Sequence, residues 1–257
     1  NKGYVMFQIE RQEKILNYIN KNKKADTKQL SEKFGVSKVT IRGDIDTLSN
    51  RGLIIKTHGG AVSINNTQLY EIPYDNKVSL NKTEKQKIGK HASKFIEDGD
   101  IIILDAGSTT FEIAKNINIK NVTVLSNDIK IAMELAHKKN IDLLVSGGYL
   151  NGPVYTLTGS QSVNFFKSLH VNKTFLGCDA LDLSFGISNR TYEEIEIKKA
   201  MIEAADEVIM VADSSKLHKK VFCFLCDFSV IDKLIIDKID EPTKKILTEK
   251  GVEVIIA

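Results

Sequence analysis

The stretch IIILDAGSTTFEIAK, residues 101–115, sets one carboxylate and three hydroxyls around a tight turn. A strand-length apolar run ends in Asp105, an Ala106-Gly107 turn follows, and Ser108, Thr109 and Thr110 open a helix-patterned segment. Small residues let backbone N–H groups approach a ligand, and a helix N-terminus dressed with hydroxyls suits a phosphate. Similar polar steps recur at Ser126-Asn127, Ser146-Gly147-Gly148, Gly177-Cys178-Asp179 and Asp213-Ser214-Ser215-Lys216. Lys216 offers a neutralising cation, while Asp105 and Asp179 can accept bonds from sugar hydroxyls. Each step also has a purely structural reading. Asn127 or Ser214 can be a helix cap, Gly147-Gly148 a turn, and Glu194 the third residue of a capping box begun by Thr191. Several such steps meeting on one rim favour a small anionic ligand.

The elements that would bring them together are legible as an alternation. Strand-like apolar runs occur at 101–105, 122–125, 141–146, 173–178, 208–213 and 233–236, with helical patterns between most of them. That order predicts a mainly parallel sheet with helices on both faces, and ligands of such sheets bind outside the carboxyl ends of the strands. Thr83 and Gln86 read as a capping box opening a helix that runs to about Ile96.

Residues 1–60 have a different character. They hold 12 Lys+Arg against 6 Asp+Glu, whereas the rest of the chain holds 24 against 27. A basic head on a mildly acidic body points to a polyanionic partner for the head. Its first segment sets Ile9, Ile15, Leu16 and Ile19 on one helical face. Asp26 with Gln29 forms a capping box for a short helix, Gly35 permits a sharp turn, and Ser37 caps a helix with Ile41, Ile45 and Leu48 as its apolar stripe. Two helices joined by such a turn, the second polar and basic at its start, make a helix-turn-helix. Ser37, Lys38, Thr40 and Arg42 then face duplex DNA. The run RGLIIKTHGGAV reads as a wing that brings Lys56 and His58 to the backbone. Residues 62–82, with Asn-Asn, one Pro and weak periodicity, read as a connection.

Composition bounds the rest. The chain has 257 residues, 42% hydrophobic and 27% charged, which suits two unequal domains. No apolar run nears the ~20 residues of a membrane span, and no secretory signal opens the chain, with Met6 as the expected natural start, so a cytoplasmic protein is expected. Cys223 and Cys226 spell CxxC inside the apolar run VFCFLCDF, with no second Cys/His pair to complete a zinc site. They read as buried structural cysteines, and neither metal nor cofactor is expected.

The residues also resemble a known family. ERQEKIL, LSEKFGVSKVTIRGDIDTLSNRGLI and HGGA look like the N-terminal signature of the DeoR family of bacterial regulators. DAGSTT, SND, SGG, GCDALD, EEIEIKKAMI and VADSSK match its C-terminal sensor in order. Two departures stand out. Arg42-Gly43-Asp44 replaces the usual Arg-Arg-Asp, and Cys178-Asp179-Ala180 lies where the family has Val-Asp-Gly. The resemblance implies a winged helix-turn-helix domain over 6–61, a linker over 62–82 and a sugar-phosphate-sensing α/β domain over 83–257, similar in fold to ribose-5-phosphate isomerase. It implies phosphate contacts at Ser108, Thr109, Thr110 and Lys216, with sugar contacts at Asp105, Asn127, Asp179 and Lys198; Gly107, Gly147 and Gly148 are expected at the same effector site. It further implies a homodimeric or homotetrameric repressor that binds double-stranded operator DNA and is released by a phosphorylated sugar. An active aldose–ketose isomerase, with Asp105, Asp179 or Glu194 as base, is the alternative.

Overall fold

The computed structural model describes residues 7–50, 53–63 and 74–257, and the chain divides into two compact units, 1–80 and 81–257. The first unit begins with α1 (Gln8–Asn22), β1 (Lys24–Asp26), α2 (Thr27–Phe34) and α3 (Lys38–Asn50). β2 (Ile54–Thr57), β3 (Gly60–Ser63) and α4 (Tyr74–Ser79) follow. Ile15 and Ile19 of α1 meet Leu30 of α2 and the Ile41, Ile45, Leu48 stripe of α3 in one small core. Ile9, expected on that face, is 74% exposed. Its neighbours Arg11 and Gln12 face inward instead, toward a carboxylate on α3.

The anticipated capping box forms, with Asp26 accepting from Gln29 N–H at 2.7 Å and Gln29 Oε1 accepting from Asp26 N–H at 3.3 Å. Gly35 ends α2 at φ 65°. The expected two-stranded wing gains a third strand, in the order β1-β3-β2. Gly60 permits this, because a Cβ there would lie 2.1 Å from Ala25 O. Of the 62–82 connection, 64–73 fall outside the described residues, and its end forms α4.

The second unit opens with α5 (Lys82–Ala92), β4 (Ile101–Leu104), α6 (Ser108–Asn116), β5 (Val122–Ser126), α7 (Ile129–Leu135) and β6 (Ile141–Val145). A hairpin of β7 (Tyr149–Asn151) and β8 (Thr156–Thr158) leads to α8 (Ser160–Lys167), β9 (Val171–Leu176), β10 (Ala180–Asp182), β11 (Gly186–Asn189) and α9 (Tyr192–Glu203). The unit closes with β12 (Ala205–Ala212), β13 (Cys223–Cys226), β14 (Lys233–Ile236), α10 (Glu241–Glu249) and β15 (Glu253–Ile256). Seven strands form one parallel sheet in the order β15-β14-β12-β9-β4-β5-β6.

Strand alternation divides the core in two. Ile102, Leu104, Val124, Ile209 and Val211 pack under α5, α6 and α7. Ile103, Leu125, Leu176, Val208 and Met210 pack on the other face against α8, α9 and α10.

Three details differ from the local sequence pattern. α5 starts at Lys82 after Asn81, with no side-chain cap, so Thr83 caps nothing; the helix ends at Ala92 and passes into a 3-10 turn. β15 extends the sheet beyond the strands expected from sequence. Cys223 and Cys226 are both 8% exposed although three apart on β13. The register of β11 against β13 shifts between Ile187 and Ser188, and both thiols lie within the core. Among the described residues no His, Cys, Asp or Glu group is placed to hold a metal ion, and no helix is long and apolar enough to cross a membrane.

Candidate functional sites in the two units

In the first unit, Ser37 Oγ accepts from Thr40 N–H at 3.1 Å and lies 2.9 Å from Thr40 Oγ1, which fixes the start of α3. Lys38, Val39 and Arg42 project from its exposed side. A cleft between α2, α3 and the wing turn is lined by Lys28, Lys38, Arg42, His58 and Gly59, together with Asp26 and Thr27. The wing turn is anchored there, since Thr27 donates from both N–H (2.8 Å) and Oγ1 (3.0 Å) to Gly59 O. Three cations and an imidazole around one concave surface suit a phosphate backbone. Lys28 was not singled out from sequence. Lys56 does not line the cleft; it pairs with Asp46 of α3 on the surface.

Asp44 has a structural role. Its carboxylate, 2% exposed, accepts from Arg11 Nε at 2.6 Å, Arg11 Nη2 at 3.2 Å and Gln12 Nε2 at 3.1 Å. It therefore staples α1 to the helix that carries Arg42. Gly43, one position before it, is exposed, and a Cβ there would meet nothing within 4 Å.

In the second unit the chain leaves β4 toward β5 and β6, then returns to β9 and proceeds through β12 to β14. The sheet order reverses between β4 and β9, which is where a crevice opens at the carboxyl ends of parallel strands. Asp105 follows β4 and Gly177 follows β9. Gly177 N–H donates to Asp105 Oδ2 at 2.9 Å, and Lys198 of α9 donates both to Asp105 Oδ2 and, at 3.0 Å, to Gly177 O. The Lys198 and Asp105 side chains are 4% and 3% exposed. Burial pushes the Asp105 carboxyl upward, against the pull of Lys198. Burial works to lower the Lys198 ammonium, yet Asp105 and Glu194 outweigh it and hold it raised.

A pocket at this point is lined by Asp105, Ala106, Asn127, Thr156, Glu194, Ile197 and Lys198. Asn127 donates to Leu157 O at 3.2 Å, while its Oδ1 is buried without a partner. Thr156 reaches the pocket from the β7–β8 hairpin and carried no signal of its own in the sequence. Glu194 is not part of a capping box, because Thr191 makes no side-chain cap bond; it accepts from Asn189 Nδ2 at 3.4 Å.

Beside this pocket, Gly107 precedes α6, and the helix begins with the N–H groups of Ser108, Thr109 and Thr110, which have no acceptor within the first turn. One expectation is corrected here. Thr110 is fully buried and donates its hydroxyl to Gly107 O at 2.9 Å, so Ser108 and Thr109 are the hydroxyls left for a ligand. Gly147 and Gly148 do not line the pocket. Gly147 O accepts from Ser162 Oγ at 2.7 Å, and a Cβ on Gly148 would fall 2.4 Å from Thr158 O, so they shape the entry to the hairpin.

Asp179 is likewise held away from the pocket lining, its Oδ2 accepting from Arg190 N–H at 3.2 Å with Arg190 Nε 3.7 Å from Oδ1. Lys216 sits in a 3-10 turn after β12 that is capped by Asp213, not Ser214. The charges of Lys216, Asp179, Lys198 and Asp213 all bear on Cys178, whose thiol burial pushes up to about 12.

Residues 11–67 match the model of the DeoR-like helix-turn-helix domain, and residues 80–238 that of the DeoR C terminal sensor domain. The HTH-type transcriptional repressor GlcR of Bacillus subtilis is 33% identical over 98% of this chain and 97% of its own length. The HTH-type transcriptional regulator GlpR of Haloferax volcanii is 32% identical over 97% of this chain and 98% of its own. Among solved structures, ribose 5-phosphate isomerase A from Methanocaldococcus jannaschii covers 53% of this chain and 55% of its own at 19% identity and a TM-score of 0.40. Two family models in tandem, with relatives alike over nearly their whole length, establish that this chain belongs to the DeoR family of transcriptional regulators.

Proposed function

We propose that this chain represses a sugar-utilisation operon in the cytoplasm and that a phosphorylated sugar, bound at the β4–β9 crossover, weakens its grip on operator DNA. The domains are 6–61 for DNA, 62–82 for the connection and 83–257 for sensing. The observation that carries the reading is the pairing, at one strand-end crevice, of polar groups for a sugar with an open helix N-terminus for a phosphate. Asp105, Asn127 and Lys198 face the sugar, while Ser108, Thr109 and the α6 N–H groups take the phosphate, with Lys216 as counter-charge. In the head, Ser37, Lys38, Thr40 and Arg42 contact the major groove and its flanking phosphates, with Lys56 and His58 on the wing. The name of one relative, the repressor GlcR, supports the sign of the effect.

Most bacterial helix-turn-helix regulators bind as dimers to half-sites about 34 Å apart or a multiple of it. A homodimer or homotetramer is therefore proposed, in which the effector favours a head spacing that no longer fits the operator. A coupling of about 1–3 kcal/mol corresponds to roughly 5- to 150-fold in DNA affinity. An isomerase would need a carboxylate free to move a proton; Asp105 is engaged by Lys198 and Gly177 and Asp179 by Arg190, so Glu194, which lines the pocket, is the base left to that reading. The experiment is a thermal-shift screen of the full chain against a panel of sugar phosphates, then operator binding with and without each hit. A hit that raises Tm and lowers DNA affinity is expected. Catalytic interconversion of the hit, followed by NMR, would instead support the isomerase.

A further inference from the structure

Asp128 is 0% exposed at the junction of three loops of the second unit. Its Oδ2 accepts from Gly107 N–H at 3.2 Å, on the turn that leads into α6. Its Oδ1 accepts from Lys130 N–H at 2.7 Å and Ile131 N–H at 3.1 Å, capping α7. Its own N–H donates to Ser126 Oγ at 3.1 Å, and its backbone bridges to Thr156 of the β7–β8 hairpin. One carboxylate thus binds the anion-cradle turn, a second helix start and the strand that brings Thr156 into the pocket.

We propose that Asp128 is a positioning residue of the anion cradle and that anion binding at the start of α6 is coupled to its protonation. The inference rests on the reading of α6 as the phosphate site. Gly107 N–H and the N–H groups of Ser108–Thr110 are consecutive along the turn, so a dianion on the latter lies beside a buried carboxylate. Two negative charges that close, with little water between, cannot both be held at full charge. The proton that Asp128 gains also releases Gly107 N–H, which then turns from the carboxylate to the anion.

Lys216, the proposed counter-charge, offsets part of the dianion's charge, and the elements packed on Asp128 itself supply little more. Asp105, after β4, adds negative charge to the neighbourhood. Lys130 of α7 directs its ammonium over the Tyr155 ring at 4.2 Å from the centroid. The β7–β8 hairpin, residues 149–158, contains no charged residue, and neither do Ser108, Thr109 and Thr110. Burial already pushes the Asp128 carboxyl up to about 6, although the N–H groups of Ile131, Lys130 and Gly107 work against it. The group therefore titrates within reach of neutral pH, and a neighbouring dianion moves it further up.

Sulfate is the probe, because it remains a dianion from pH 5 to 8.5 while phosphate itself titrates. Calorimetry on the full chain is expected to show tighter sulfate binding at pH 5.5 than at pH 8, by roughly five- to tenfold for a bound-state rise of about one pH unit. In two buffers of different ionisation enthalpy near pH 6.5, a net uptake of a fraction of one proton per sulfate is expected. Asp128→Asn retains an acceptor for α7 but presents an amide to Gly107 N–H; it should bind sulfate with a flat pH profile. The proton-uptake measurement needs no variant and stands if Asp128→Asn folds poorly. Sulfate binding with equal affinity at both pH values and no proton uptake overturns this inference alone, as does an unchanged pH slope in Asp128→Asn. Failure of sulfate and phosphate to bind at any pH overturns both the cradle and the inference.

Discussion

Replacing Lys198 by Met tests whether the β4–β9 crossover is held by a buried ion pair. The substitution removes the ammonium at nearly constant volume and leaves Asp105, 2% exposed, with Gly177 N–H as its remaining donor at 2.9 Å. Two unit charges ~3 Å apart at an effective dielectric of ~20 attract by about 5 kcal/mol. Desolvation offsets much of that in the intact pair, yet removing one partner leaves the other charge buried, at a cost of about 3–5 kcal/mol. For a unit of this size that corresponds to a fall in Tm of roughly 6–20 °C. The cost depends on pH with a definite sign. Without Lys198, burial, helped by the charge of Glu194, outweighs the Gly177 N–H bond, and the folded-state pKa of Asp105 rises above the ~3.9 of an unfolded chain. The variant is then most stable near pH 4 and loses stability as pH rises toward the new value, so its deficit against the parent widens from pH 5 to 8. Chemical denaturation at several pH values measures this, and the double variant Asp105→Asn/Lys198→Met should recover roughly half of the loss. A deficit below about 1 kcal/mol, or one that does not change with pH, would refute the buried-pair argument.

Three further outcomes follow from the geometry. Gly43→Ala adds a Cβ into open space on the exposed side of α3, so the first unit should gain about 0.5–1 kcal/mol in thermal unfolding; Gly43→Arg should in addition steepen the salt dependence of operator binding by about one unit. Asp44→Ala deprives Arg11 and Gln12 of their common acceptor, and urea denaturation should register a loss of about 3–5 kcal/mol in the first unit. Thr109→Val, like Lys216→Ala, should weaken the effector by roughly ten- to a hundredfold in calorimetry while operator affinity without effector stays within twofold.

Local patterns were enough to determine a good part of this protein. The Asp26–Gln29 box, the Gly35 turn, the Ser37 cap and the Ile41–Ile45–Leu48 stripe all involve partners a few residues apart, so the helix-turn-helix was legible from spacing. The alternation of apolar runs and helical segments likewise determined a parallel sheet with both faces covered, because burial on two sides demands strands that are apolar throughout. Contacts distant in sequence were decided only by tertiary structure. Asp44 reads as one more surface charge until α1 brings Arg11 and Gln12 against it, 33 and 32 residues away. Lys198 meets Asp105 across 93 residues because the sheet order reverses between β4 and β9. Thr110 belongs by sequence with Ser108 and Thr109, yet one hundred degrees of helical rotation per residue carries its hydroxyl inward to Gly107 O. Asn127 reads by sequence as the residue able to cap the following helix, yet Asp128 is the cap, and its second oxygen reaches Gly107 because parallel neighbours β4 and β5 end at the same level. Residue type and spacing name the groups that could bind an anion; strand order, register and helix rotation select which of them face it.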